Sequence, residues 1–239
     1  MNSQTSLSNQ VAIITGGGTG FGAAIAHALA AEGAQCVLAG RRREPLEAIA
    51  AEIGSSAHII PTDVLEYAQL QNLISETIRQ FGRLDILVNN AGIYEPLPFT
   101  DITFENWEAT LTTNLRSVFQ LTQLAWSHLI QSRGQVVNIS STAGVQGFEG
   151  CAAYSASKFG LNGLTEVLAI EGKPHGIRAF SVCPAAADTP MWQTRTTPNV
   201  LDKMLKAETI AETVRWLVTA SRLVHIAPVV IRNYQDPWG

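Results

Sequence analysis

Short apolar, β-branched runs alternate with helix-period segments along almost the whole chain, and few architectures accept that order. Val11–Thr15, Cys36–Ala39, His58–Ile60, Leu84–Val88, Gln135–Ile139, Ile177–Cys183 and Val229–Ile231 read as strands. Between them, Ala23–Ala31, Pro45–Ile53, Glu66–Phe81, Phe104–Gln131, Ala153–Glu171 and Ile210–Thr219 read as helices, with Pro45 in a first turn and Gly82 as a stop signal. Leu84–Val88 is almost purely apolar, as a strand covered on both faces must be. The expected fold class is therefore α/β, a doubly wound parallel sheet of about seven strands with helices on both faces. Right-handed crossovers place a ligand crevice at the carboxyl ends of the strands, where the strand order reverses. No composition shift divides the chain, so residues 1–239 are expected to form one domain, with a flexible N-terminus over residues 1–8. The least regular stretch, about residues 185–206, follows a strand's carboxyl end and is expected to be a substrate-side lid.

Composition narrows the partners. Hydrophobic residues make up 46% of the chain, ample for a large core, while charged residues make up 15%, against about 25% in an average soluble protein. The 20 acidic residues outnumber the 16 lysines and arginines, which disfavours a nucleic-acid partner, since duplex binding needs a concentrated basic face. The polar, uncharged Met1–Gln10 does not read as a secretory signal, and no apolar run reaches membrane-spanning length. Cys36, Cys151 and Cys183 are odd in number and widely spaced, and His27, His58, His128, His175 and His225 show no ligand spacing. No metal site is expected, and the expected location is cytoplasmic, with the thiols reduced.

The first strand runs into Thr15-Gly16-Gly17-Gly18-Thr19-Gly20-Phe21-Gly22 and then a helix. A strand, a glycine turn and a helix N-terminus form an anion cradle, because helix-end amides point at a phosphate and glycine admits close backbone approach. Gly18-x-Gly20-x-x-Ala23 fits the general dinucleotide pattern, which taken alone is a weak signal and equally describes a flexible loop. At the end of the second strand, where a carboxylate would hold the ribose hydroxyls of NAD, the chain has Gly40-Arg41-Arg42-Arg43. Guanidinium groups there suit a 2'-phosphate, so NADP(H) is favoured over NAD(H), with Arg41 as the leading ligand and Arg42 beside it.

Tyr154-Ser155-Ala156-Ser157-Lys158 puts a phenol and an ammonium four residues apart on one helix face. Upstream, Asn138-Ile139-Ser140-Ser141 leaves a strand's carboxyl end and delivers hydroxyls to the same crevice. With Asp63-Val64, Asn89-Asn90-Ala91-Gly92 and Asn114 in order, the chain resembles the short-chain dehydrogenase/reductase family from about Asn9 to Arg232. That resemblance implies a Rossmann-type sheet, a small-molecule carbonyl or alcohol substrate, and a homotetramer or homodimer built through the segments Phe104–Gln131 and Ala153–Glu171.

The resemblance also implies roles. Tyr154 would be the general acid in carbonyl reduction and the base in oxidation, and Ser141 would polarise the substrate carbonyl. Lys158 would lower the Tyr154 pKa and hold the nicotinamide ribose. Asn114 would bind a relay water from within the long fourth helix. Gly16, Gly18, Thr19, Gly20, Phe21 and Gly22 would cradle the pyrophosphate; Asp63 and Val64 would frame the adenine. Asn90, Ala91 and Gly92 would line the other side of the cofactor, with Pro184 and Thr189 at the nicotinamide. Pro184-Ala185 replaces the family's usual Pro-Gly, adding a Cβ that restricts the backbone there. Cys151 and Cys183 are expected to be small buried hydrophobes, with Cys151 the candidate for an oxidation-sensitive thiol. Trp107, Trp126, Trp216 and Trp238 are expected in core or subunit packing. The activity expected is NADP(H)-dependent interconversion of a carbonyl compound and its alcohol. The alternatives are an NAD-dependent alcohol dehydrogenase of the same fold and a non-catalytic NADP(H) sensor.

Overall fold

A computed structural model describes residues 6–193 and 195–234, which leaves Trp238 and most of the N-terminal segment outside the described residues. The strands are β1 (Val11–Thr15), β2 (Gln35–Gly40), β3 (Ala57–Pro61), β4 (Ile86–Asn89), β5 (Gln135–Ile139), β6 (Arg178–Pro184), β7 (Ala187–Asp188), β8 (Leu205–Lys206) and β9 (Val229–Ile231). The helices are α1 (Gly20–Ala31), α2 (Arg43–Ile53), α3 (Tyr67–Phe81), α4 (Phe104–Leu111), α5 (Ser117–Ser132), α6 (Ala152–Gly172), α7 (Pro190–Gln193), α8 (Pro198–Leu201) and α9 (Ala207–Thr219). Seven strands form one sheet in the order β3-β2-β1-β4-β5-β6-β9, every pairing parallel.

Alternate residues of each central strand feed two separate cores, which is why the strand sequences are apolar without a break. Ala12 and Ile14 of β1, Cys36 and Leu38 of β2, and Ile86 and Val88 of β4 pack with Ile25, Leu29, Leu46, Ile210 and Val214 of α1, α2 and α9. Val11 and Ile13, Val37 and Ala39, and Leu87 face the other way, against Leu70, Leu73, Leu121 and Leu129 of α3 and α5. The chain winds from β1 out to β3, then returns through β4 to the opposite half. The strand order therefore reverses between β1 and β4, and their carboxyl ends flank the crevice.

Three expectations change. Ser6, Leu7 and Ser8 are not a loose end: Leu7 is buried, its amide donates to the Glu32 carbonyl at 2.9 Å, and the Ser6 hydroxyl donates to the Glu32 carboxylate. The expected helix Phe104–Gln131 is α4 and α5 joined by a π-helical turn, Thr112–Arg116, closed by the Ser117 amide donating to the Thr112 carbonyl five residues back. The wider turn carries Asn114, whose amide clamps the loop after β4, as detailed below. Finally, the stretch after β6 is less irregular than expected, since β7 and β8 form a small parallel pair through Ala187–Leu205 and Asp188–Lys206. No helix among the described residues is long and apolar enough to cross a membrane.

Candidate active site

A cleft of about 940 Å³ runs across the carboxyl ends of β1, β2, β4, β5 and β6. Its floor begins at the glycine turn. Gly16 and Gly20 have φ of +67° and +55°, a region closed in practice to most side chains. A Cβ on Gly16 would also sit 2.7 Å from Asn90 Nδ2. Thr19 precedes α1 without a side-chain cap, and no acidic residue occupies the first turn, so the helix-end amides face the cleft uncompensated. Gly22 is the exception among the expected contacts: it does not line the cleft but packs inward, where a Cβ would run into the Gly16 carbonyl. Its role is to let α1 approach β1.

The second wall is tied to the first. Thr15 Oγ1 accepts from the amides of Asn90 and Ala91 at 3.0 Å each, and Asn90 Nδ2 donates to the Thr15 carbonyl at 2.8 Å. Arg41 and Arg42 line the far end with Asp63 and Val64, and Arg43 turns away to Glu47 at 3.5 Å. Among the described residues neither Arg41 nor Arg42 has a carboxylate partner. Pro184 and Thr189 line the opposite end; Thr189 Cβ lies 3.5 Å from where a Gly20 Cβ would project. Ala185 has no positive φ, and its amide donates to the Ile231 carbonyl at 2.8 Å. The added methyl therefore imposes no backbone strain.

Tyr154 and Lys158 lie one turn apart on α6, both lining the cleft, with Lys158 Nζ 5.6 Å from the Tyr154 ring centre. Lys158 is buried and donates to the Ile139 carbonyl at 2.8 Å. Burial drives its pKa down to about 8. Burial likewise raises the Tyr154 phenol to about 12; a hydrogen bond with Ser141 opposes this, and the Cys151 thiol adds to it. Desolvation dominates the Tyr154 shift, and Lys158 is not among its causes. Ser141 also accepts the Ala143 amide at 3.1 Å, while Ser140 spends its hydroxyl on the Lys158 carbonyl at 3.3 Å. Of the two serines, Ser141 is the one whose hydroxyl hydrogen is left uncommitted beside the cleft.

Asn114 stands behind this group and does not line the cleft. Its Oδ1 accepts from the Ile93 amide at 2.8 Å, and Nδ2 donates to the Ile93 carbonyl at 2.9 Å and to Ser157 Oγ at 3.2 Å. The side chain clamps the Ile93 loop. Gly92 leaves room between the parts: a Cβ there would lie 3.1 Å from Asn114 Oδ1 and 3.8 Å from Lys158 Nζ.

Several lining residues escaped the motifs. Tyr94 meets Tyr154 edge-on, Trp192 packs on Tyr94, and Arg195 lies over the Tyr94 ring. Asn162 is a supporting residue behind the serine loop: Oδ1 accepts from Ser181, and Nδ2 donates to the Gly144 carbonyl at 2.9 Å. Cys151 and Cys183 are both buried thiols, Cys151 with its sulfur 3.6 Å from the Tyr94 hydroxyl. Trp126 packs on the core as expected, whereas Trp216 is exposed.

Residues 10–199 match the family of short chain dehydrogenases. The chain belongs to this family. Among curated relatives of this dehydrogenase, an uncharacterized oxidoreductase, YxjF, of Bacillus subtilis is 35% identical over 92% of the chain and 88% of its own length. The L-fucose dehydrogenase of Mus musculus is 36% identical over 81% of the chain and 71% of its own length. Among solved structures, the 3-ketoacyl-(acyl-carrier-protein) reductase of Brucella melitensis, complexed with NADH, superposes with a TM-score of 0.90 at 28% identity, covering 96% of this chain and 99% of its own. The alcohol dehydrogenase of Thermococcus sibiricus, complexed with 5-hydroxy-NADP, gives 0.87 at 26%, covering 94% and 97%. The protein is an oxidoreductase of a family that binds nicotinamide cofactors, and its neighbours include both NADH and NADP complexes.

Proposed function

We propose that this dehydrogenase interconverts a carbonyl compound and its alcohol with NADP(H), using Tyr154 as the proton donor and acceptor. The observation that carries the reading is the convergence of Tyr154, Ser141 and Lys158 on a cleft whose other end is lined by Arg41 and Arg42. The cradle suits a dinucleotide, since Gly16 and Gly20 line the cleft with positive φ, a turn that brings bare backbone to the ligand. When bound, the reduced nicotinamide supplies a hydride to the carbonyl carbon. A phenol held near 12 is protonated at neutral pH, the state required to donate a proton to the carbonyl oxygen in reduction. Ser141 stabilises the developing oxyanion by hydrogen bonding. Lys158 keeps donors for the ribose hydroxyls beyond its bond to Ile139, and Thr189 holds the nicotinamide end. Asn114 is a positioning residue, fixing Ile93 and the π-helical turn so that main-chain groups, rather than its own amide, order any relay water. The 185–206 segment covers the substrate end.

NADP preference is supported by the two unpaired guanidinium groups at the end of β2; the NADH complex of the Brucella neighbour favours NAD as the second reading. A homo-oligomer is supported by Phe104, Phe119, Phe159 and Ile170, exposed on α4, α5 and α6. A cytoplasmic location is supported by three buried free thiols. The test is oxidation of NADPH, then of NADH, against a panel of ketones, aldehydes and acyl thioesters with wild type and Tyr154→Phe. Loss of about 10²–10⁴-fold in kcat with cofactor affinity kept is expected; near-normal turnover by the variant would sink the mechanism.

A further inference from the structure

Beyond Tyr154 the cleft has an aromatic wall with a cation on it. Tyr94, from the loop after β4, meets the Tyr154 ring edge-on with centres 4.9 Å apart. Trp192, from α7, lies against Tyr94 at 5.3 Å with the ring planes tilted by 34°. Arg195 follows on the same segment, its guanidinium carbon 5.6 Å from the Tyr94 centre, and donates one N–H to the Met191 carbonyl at 3.1 Å. Tyr94 also anchors its hydroxyl against the Cys151 sulfur at 3.6 Å. The guanidinium belongs to an exposed side chain but has two contacts, a ring face and a carbonyl, and is one aromatic ring away from Tyr154.

What the guanidinium lacks is an anion. Among the described residues Arg195 enters no ion pair, although six other ion pairs form. Glu149 lines the same cleft, yet it is not within ion-pairing distance of Arg195. Among the described residues, four of the five guanidinium N–H groups are thus uncommitted, in the planar fork that matches a carboxylate. Stacking on Tyr94 limits the rotamers the side chain must give up on binding. A neutral apolar ketone would use the aromatic wall and leave this charge idle; a short oxo acid would use both.

Resting on the oxidoreductase reading above, we propose that Arg195 is the specificity residue for a carboxylate on the substrate, so that the accepted class is short oxo acids and the corresponding hydroxy acids. In the reductive direction the carbonyl carbon gains a hydride and its oxygen gains the Tyr154 proton, one reduced nicotinamide is oxidised, and the carboxylate is unchanged. The wall formed by Tyr94 and Trp192 packs on the carbon chain and keeps it short.

The test uses matched pairs that differ only in charge: acetoacetate with methyl acetoacetate, and levulinate with methyl levulinate. For the full-length enzyme, kcat/KM is expected to be higher for the acid of each pair, with the advantage shrinking as salt is raised. Arg195→Met should lower the acid-to-ester ratio of kcat/KM by about tenfold, carried mainly by KM, and Arg195→Lys should recover part of it. Equal preference for acid and ester in the wild type, or a ratio unmoved by Arg195→Met, overturns the assignment. Intrinsic tryptophan fluorescence, with Trp192 at the site, reads levulinate binding without turnover. Binding that depends on Arg195 while no ketone, aldehyde or acyl thioester yields product under either cofactor upholds the anion site and overturns the proposed carbonyl–alcohol reaction. Turnover of neutral ketones with no Arg195-dependent binding does the reverse.

Discussion

Lys158 places an ammonium where little water reaches it, and replacing it with methionine turns that cost into a measurable quantity. In water a lysine titrates near 10.5; here burial holds Lys158 at about 8. Between these values the unfolded chain binds a proton that the folded one does not, so stability rises with pH from about 8 to 10.5. Below that window the folded state carries a penalty of roughly 3 kcal/mol relative to high pH, at about 1.4 kcal/mol per pKa unit. Lys158→Met removes the titration but also loses the bond to the Ile139 carbonyl, a buried acceptor that costs about 1–3 kcal/mol when left unpaired. That second effect is independent of pH, so the comparison is best made as a difference. Urea unfolding of both proteins at pH 7 and pH 9.5 should show the wild type gaining about 2 kcal/mol on the variant over that interval. Tyr154, which burial shifts upward from 10, contributes little below pH 9.5 and does so in both proteins. A wild-type-minus-variant difference that stays flat across the interval would mean that the ammonium is solvated, and the argument from burial would be wrong.

Other outcomes follow from the same geometry. Arg41→Ala should weaken NADPH by about tenfold while changing NADH by less than about twofold, measured by fluorescence titration; equal losses would remove Arg41 from the 2'-phosphate. Gly22→Ala should cost about 3 kcal/mol or more, because the new methyl meets the backbone carbonyl of Gly16 and the Asn90 amide, neither of which can swing away. For a chain of this length that is a fall of roughly 10 °C in Tm, read by thermal unfolding.

Much of this was legible from residue order because the physics involved is local. β1, β5 and β9 fall where their apolar runs lie, and the remaining sheet strands shift by one or two residues at their ends. The glycine turn and the Tyr154–Lys158 pair were legible because backbone approach and one helical turn have fixed spacings, whereas Ser141 rather than Ser140 came only from the family resemblance. The π-helical turn was not, since the apolar periodicity of 104–131 continues through it; what opens it is a tertiary clamp between Asn114 and Ile93, 21 residues upstream. The Tyr94–Trp192–Arg195 group was illegible for a related reason. Its members come from segments about a hundred residues apart, and no spacing rule joins them. Trp192 carried one available signal, its place two residues after Asp188-Thr189-Pro190, beyond the carboxyl end of β6. Asn162 gave none, because an asparagine within a helix of mixed polarity points equally well to solvent.

The reversal of strand order has a consequence for how the protein is made. β1 is flanked by β2 on one side and β4 on the other, and Ala12–Ile14 pair with Ile86–Val88. The hydroxyl of Thr15, at the root of the glycine turn, is fixed by the amides of Asn90 and Ala91. A nascent chain that has emerged only as far as β3 can pair three strands, but β1 keeps a bare edge and the turn has no second wall. The nucleotide cradle therefore cannot assemble on the ribosome until the segment through Ala91 has been synthesised and crossed over. From that point β1 is sealed, and nucleotide binding during translation would report the moment at which the exposed edge closes.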